Sequence, residues 1–244
     1  MATSTTAIED ARQALSVAAA RGDGGAAALR RFSDAVDELL QQLCDAAPSA
    51  SGASLVVALG GYGRRQLCLH SDLDVLLLFD GRIGEAEEQR VRAILHPLWD
   101  ARFSVGHQIR QVGDFAELEI DNPEFLLALL DARPVAGDAA LLERIAGRVH
   151  SPAARGRIFA ALLRLIDERH ATFNDTFYQL EPDVKDAPGA LRDVWAARAI
   201  AAPPTVPAWT PPRNSCCGCA RCSTSSTNAT TTCSITRRRS ARPG

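Results

Sequence analysis

Two short motifs combine residue types that could bind a nucleotide and a metal ion. The first is Gly-Gly-Tyr-Gly at residues 60–63, directly after an apolar run, and the second places Asp72 and Asp74 at the start of another apolar run. The backbone of a glycine-rich turn can approach a ligand closely, and amides there or at a helix start point at phosphate oxygens. Aspartates at positions i and i+2 of a strand share one face.

The paired aspartates favour a hard cation such as Mg²⁺, because two adjacent carboxylates repel each other unless a cation lies between them. With nucleotide phosphates as further ligands, such a site is typical of nucleotidyl transfer, in which metal ions activate the attacking hydroxyl and stabilise the leaving pyrophosphate. Either motif alone is usually a plain turn or a solvated strand end, but the two together favour a site. We predict catalytic and metal-binding roles for Asp72 and Asp74, and phosphate binding by Gly60, Gly61 and Gly63.

Two cationic side chains are further candidates for phosphate binding. Arg64 directly follows the glycine motif, and Lys185 is the only lysine among 27 basic residues. A lysine can reach a triphosphate as a mobile point charge. The plainer alternatives are an exposed arginine without a partner, and a loop that only fixes the later helices onto the sheet.

The elements that would position these residues follow from apolar periodicity. Continuous apolar runs at 55–59 and 73–79 predict buried strands, and a short alternating strand is predicted within 103–112. Helical spacing predicts helices at 26–46 and 85–102, and then at 123–132, 139–149, 152–173 and 188–200. This pattern predicts an α/β (α+β) fold: a mixed sheet flanked by helices, followed by a helical region.

Overall composition excludes several classes of protein. The net charge of −2 is unsuited to coating nucleic acid, and no apolar run approaches the roughly 18 residues of a membrane helix. The first residues include acidic side chains and no apolar secretory segment, so a cytoplasmic location is expected. We predict no nucleic-acid or membrane partner.

The composition changes abruptly after residue 202. Residues 203–244 contain no Asp, Glu, Lys or Leu, but six Arg, six Pro, fourteen Ser or Thr and five of the seven cysteines. Such a segment cannot build an apolar core. Three interpretations compete: half of a zinc site, a disordered basic tail that contacts RNA or membrane, and an out-of-frame translation of a GC-rich gene. We favour the last.

The motifs resemble a known enzyme family. Residues 60–64 (Gly-Gly-Tyr-Gly-Arg) with 71–74 (Ser-Asp-Leu-Asp) are similar to the nucleotidyltransferase superfamily signature, and more closely to the N-terminal domain of bacterial protein-PII uridylyltransferases. Residues 98–100 with 105–110, and residues 169–193, resemble later motifs of that family. The resemblance covers about residues 30–201 and ends where the composition changes.

This resemblance implies a nucleotidyltransferase fold and a Mg²⁺-dependent enzyme of nitrogen control. Such enzymes transfer UMP from UTP to a tyrosine hydroxyl of the trimeric PII signalling protein. Full-length members also carry a metal-dependent HD domain and glutamine-sensing ACT domains. The chain contains no His-Asp dipeptide and has no length for ACT domains, so we expect only the transferase end of a larger enzyme.

The expected domain organisation has four parts: a flexible N-terminus (1–25), a nucleotidyltransferase domain (26–122), a helical region (123–202) and a disordered or out-of-frame tail (203–244). One departure from the superfamily concerns the third carboxylate, because the matching strand carries His107, Gln108 and Arg110 instead. His107 could act as a base, but a structural role is the preferred interpretation. Tyr62 is interpreted as packing or base-stacking rather than as a nucleophile.

Two alternative functions stay open. The chain could be another nucleotidyltransferase, acting on glutamine synthetase or a small molecule. It could also be a truncated module that binds a nucleotide or a partner without turnover.

Overall fold

A four-stranded mixed sheet forms the centre of the fold. The computed structural model describes residues 2–115, 122–149, 152–173, 181 and 183–201. Its strands are β1 (Ser54–Ala58), β2 (Leu73–Phe79), β3 (Val105–Gln111) and β4 (Arg133–Gly137). They lie in the order β3-β2-β1-β4, with β1 antiparallel to both of its neighbours and β2 parallel to β3.

Helices cover both faces of this sheet. They are α1 (Ala2–Arg21), α2 (Ala26–Ala46), α3 (Gly60–Gly63), α4 (Glu85–Asp100), α5 (Pro123–Leu130), α6 (Ala140–Val149), α7 (Pro152–Thr172) and α8 (Leu191–Ala201), with a 3₁₀ turn at Val112–Phe115. Within the described ranges, none of them combines the length and apolar character that crossing a membrane requires.

Two apolar cores explain why β1 and β2 are continuous apolar runs. Alternate strand residues such as Val56, Val75 and Leu77 pack with α1, α2 and α4. The residues between them, including Val57 and Leu76, pack with α5, α6 and α7. A strand buried on both faces needs apolar side chains at every position.

The predicted fold class is confirmed: a mixed sheet is flanked by helices and followed by further helices. Two segments differ from the expected domain organisation. Residues 2–21, expected to be flexible, form helix α1, which buries Ile8 and Leu15 in the core. Strand β4 lies within the region expected to be helical, because it completes the sheet by pairing with β1. The segment 203–244, expected to be a disordered or out-of-frame tail, lies outside the described residues.

Candidate active site

The glycine motif forms a tight turn against Asp74. Strand β1 runs into the short helix α3, and the Leu59 amide donates to the carbonyl oxygen of Asp74 at 3.0 Å. Gly60 has a φ of 50°, which favours glycine, and a Cβ at this position would lie 3.6 Å from Oδ2 of Asp74. The glycine turn therefore lies directly beside the Asp74 carboxylate.

Asp72 and Asp74 lie close enough to interact. Asp72 is exposed directly before β2, and Asp74 is half-buried within it. Burial raises the pKa of Asp74, the charge of Asp72 raises it further, and the charges of Lys185 and Arg64 act in the opposite direction. Four of the residues singled out by sequence therefore share one electrostatic environment.

Lys185 reaches this environment from a loop between α7 and α8. The Asp183 carboxylate accepts from the backbone amides of Lys185, at 2.8 Å, and of Asp186, at 2.9 Å. The carbonyl oxygen of Lys185 accepts from the amide of Arg192 at 3.1 Å. The loop backbone is thus fixed on both sides of the lysine, while the Lys185 side chain stays exposed.

Asp193 connects α7, the Lys185 loop and α8. Its carboxylate accepts from the Arg169 guanidinium and from the Gly189 amide at 2.6 Å, and lies 2.8 Å from Nε2 of His170. Burial alone would raise the pKa of Asp193, but the hydrogen bonds from Arg169, Gly189 and His170 together hold that pKa below its ordinary value. The contacts of Asp193 with Arg169, His170 and Gly189 therefore hold the Lys185 loop in place.

Arg64 is engaged with the later helices. Its side chain is only 6% exposed and forms an ion pair with Asp131, at the end of α5. The guanidinium also lies over the Trp195 ring of α8, 3.9 Å from the ring centroid. Burial raises the pKa of Asp131 even though Arg64 acts to lower it. Arg64 joins the glycine turn to α5 and α8, so binding phosphate would require it to leave these contacts.

The glycines of α3 differ in their surroundings. A Cβ on Gly63 would lie 2.2 Å from the carbonyl oxygen of Asp131 and 3.0 Å from that of Ala58, so Gly63 permits close backbone packing. A Cβ on Gly61 would meet nothing closer than 3.9 Å. Gly60 alone lies against the Asp74 carboxylate.

Tyr62 takes part in a buried network. Its hydroxyl donates to Asp37 at 2.5 Å, and Arg133 donates to both carboxylate oxygens of Asp37 at 2.7 and 2.9 Å. Burial, together with the Asp37 charge, raises the pKa of Tyr62 far above its ordinary value. The side chain is 1% exposed, which confirms packing rather than a nucleophilic role.

Comparisons with known proteins bear on the same segments. A family model described as GlnD PII-uridylyltransferase matches residues 157–210. The bifunctional uridylyltransferase/uridylyl-removing enzyme of Burkholderia vietnamiensis is 39% identical over 149 residues, which are 59% of this chain and 17% of that protein. The enzyme of the same name from Bordetella parapertussis is 36% identical over 175 residues, 70% of this chain and 20% of that protein. The chain is a homologue of the bifunctional uridylyltransferases. It spans about a fifth of the length of the curated relatives it matches.

His107 lies on the face of the sheet opposite to that of Asp74. The parallel register pairs Val75 with His107, and Val75 belongs to the core that packs on α4. His107 contacts Trp99 of α4 with ring centroids 6.0 Å apart. Because Asp74 and His107 belong to opposite faces of the sheet, the structure favours the structural interpretation of His107 over a role as catalytic base.

Metal binding would depend on the two aspartates together with the nucleotide. Over the described ranges, no group of three or more His, Cys, Asp or Glu side chains is arranged to hold a metal ion. Carboxylates that repel each other still suit a hard cation.

Sequence reasoning missed the partners of Arg64, which are Asp131 and Trp195, and also Gly106. Only Gly106 carried a local signal, because a glycine inside a strand often marks the close approach of another group.

Proposed function

We propose that the chain is a Mg²⁺-dependent nucleotidyltransferase that moves UMP from UTP to a tyrosine hydroxyl of the PII protein, releasing pyrophosphate. The observation that carries the proposal is the shared environment of Asp74: its carboxylate lies against the Gly60 turn and interacts with the charges of Asp72 and Lys185. The donor follows the name uridylyltransferase of the relatives, and the acceptor follows the description of the family model as a PII-uridylyltransferase.

Asp72 and Asp74 would hold the metal. Burial and the neighbouring Asp72 charge make the ionised form of Asp74 costly, and a divalent cation offsets both effects. When bound, the metal supplies charge stabilisation for the attacking hydroxyl and the leaving pyrophosphate.

The glycine turn and Lys185 would bind the triphosphate. Backbone amides at the start of α3 suit phosphate oxygens. The positive charge of Lys185, which lies in the loop between α7 and α8, acts on the Asp74 carboxylate. In the reaction, the acceptor hydroxyl oxygen forms a bond to the α-phosphorus of UTP. The bond from that phosphorus to the oxygen that bridges the α- and β-phosphates breaks, pyrophosphate leaves, and the hydroxyl proton passes to solvent.

The test is transfer from α-labelled UTP to purified PII by this chain and by its Asp72→Asn and Asp74→Asn variants. We expect each substitution to reduce transfer by at least about 100-fold, the range seen when one electrostatic stabiliser of a transition state is removed. Circular dichroism checks that the variants are folded. Undiminished transfer in either folded variant would contradict the assignment.

The same assay separates the alternatives. A panel of the four nucleoside triphosphates, with PII or glutamine synthetase as acceptor, distinguishes this enzyme from another nucleotidyltransferase. Metal-dependent UTP binding without pyrophosphate release would instead indicate a non-catalytic module. This outcome should be tested directly, because among the described residues the candidate metal site has two carboxylates and no third ligand side chain.

A further inference from the structure

Gly106 of β3 lies directly beside the Asp74 carboxylate. The parallel register pairs Asp74 with Gly106, so the two residues share one face of the sheet. A Cβ at position 106 would lie 2.4 Å from Oδ1 of Asp74 and 3.6 Å from its Cγ. A non-bonded contact of 2.4 Å is far inside van der Waals distance, so any side chain here would displace the carboxylate.

The two oxygens of Asp74 each face a glycine on a different side. Oδ1 lies over Gly106 of β3, and Oδ2 lies beside Gly60 of the turn after β1. The carboxylate therefore lies between two neighbouring backbones, and on the β3 side its place is open because Gly106 has no side chain.

We propose that Gly106 is a positioning residue, which lets Asp74 lie across β3 in the orientation that binds metal. The inference rests on the proposed function, since it takes Asp74 to be a metal ligand. It also explains why β3 carries no carboxylate beside Asp74. A side chain at the β3 position paired with Asp74 would displace the carboxylate, and the next residue on the same face is Gln108. The strands thus offer two carboxylates, and the nucleotide phosphates complete the ligand set.

The first experiment measures Mn²⁺ binding in the presence of UTP by electron paramagnetic resonance. It compares the natural chain with Gly106→Ala, Asp74→Asn and Gly113→Ala. Gly113 is the matched control, because a Cβ there would meet nothing within 4 Å. We expect Gly106→Ala to weaken Mn²⁺ binding about 10- to 100-fold, as is usual when a group that orients a metal ligand is changed. Gly113→Ala should bind as the natural chain does.

The outcomes separate the inference from the proposed function. If the natural chain and Asp74→Asn bind Mn²⁺ equally, the proposed function fails, and the role of Gly106 fails with it. If Asp74→Asn weakens binding while Gly106→Ala does not, only the role of Gly106 is overturned.

A second measurement covers the case in which Gly106→Ala does not fold. Thermal unfolding is compared for Gly106→Ala in the natural chain and in an Asp74→Ala background. If the carboxylate is what the new Cβ meets, removing it should abolish the cost of Gly106→Ala, and the double variant should melt with Asp74→Ala alone. An equal cost in both backgrounds, or a double variant that does not fold, would overturn the proposal.

Discussion

Gly63 and Gly61 look equivalent in the sequence, but they have different surroundings. Changing Gly63 to Ala would place a Cβ 2.2 Å from the carbonyl oxygen of Asp131, where only backbone could yield. We expect Gly63→Ala to lower the free energy of unfolding by about 1–3 kcal/mol, the usual cost of overpacking. Gly61→Ala, with its nearest neighbours at 3.9 Å, should change it by less than about 0.5 kcal/mol. Urea denaturation of both variants gives the comparison, and equal losses would contradict it.

For single residues, the sequence predicts contacts between near neighbours along the chain and misses contacts between residues that are far apart along it. The pairing of Asp72 with Asp74 follows from the two-residue period of a strand, so it could be predicted from neighbouring residues alone. The position of Gly63 against Asp131, and of Arg64 against Asp131 and Trp195, depends on contacts 67 residues or more along the chain. Spacing within a motif carries no information about such contacts.

Helix α4 is fixed at its start by Glu87. The buried Glu87 carboxylate accepts from the amides of Ser51 at 2.8 Å and of Gly84 at 2.9 Å, which joins the helix to the loop before β1. These bonds, with that from Ser51 the largest influence, lower the pKa of Glu87 from 4.5 to about 2. A lowered pKa means that the ionised form stabilises the fold above pH 4.5, and that this stability is lost as the pH falls towards about 2.

We therefore expect Glu87→Gln to destabilise the fold by a constant amount at pH 5–7, and by progressively less as the pH falls below about 4.5. Urea denaturation between pH 2.5 and 7 measures the difference from the natural chain. Glu88→Gln is the matched control, because Glu88 is 60% exposed and only pairs with Arg92 on the helix surface. A Glu87→Gln difference that does not change with pH would contradict the assignment.

The predicted elements succeed where a single stretch of sequence determines them. Helices α2 and α4 and strands β1 to β3 follow from apolar periodicity within each segment. Strand β4 does not, because it has only five residues, includes Pro134, and pairs with β1 through an irregular register between Val56 and Val57. Its conformation depends on the neighbouring strand rather than on its own pattern.

Across the whole molecule, the candidate site is assembled from both halves of the chain. The sheet contributes Asp72, Asp74 and the glycine turn, and the later helices contribute Lys185. Arg64 ties the halves together through Asp131 of the α5 end and Trp195 of α8. The expected domain boundary between residues 122 and 123 therefore separates Lys185 from the other residues whose charges influence Asp74. We propose that the helical region is part of the active site.

Asp193 should then affect UTP binding without touching UTP. Asp193→Ala removes the acceptor of Arg169, His170 and the Gly189 amide, which frees the loop that carries Lys185. We expect Asp193→Ala and Lys185→Ala each to raise KM for UTP about tenfold, the value of one charged contact. Asp167→Ala is the control, since Asp167 lies exposed on the same helix as Arg169.

The double variant decides between positioning and general stability. If Asp193 acts only by holding Lys185, the Asp193→Ala/Lys185→Ala chain should have the same KM as Lys185→Ala, because the second change removes nothing further. If Asp193 only stabilises the fold, Asp193→Ala should lower the melting temperature and the active fraction and leave KM unchanged. Steady-state transfer measured beside thermal unfolding separates these results. Additive increases in KM for UTP would contradict the inference that Asp193 acts by positioning Lys185.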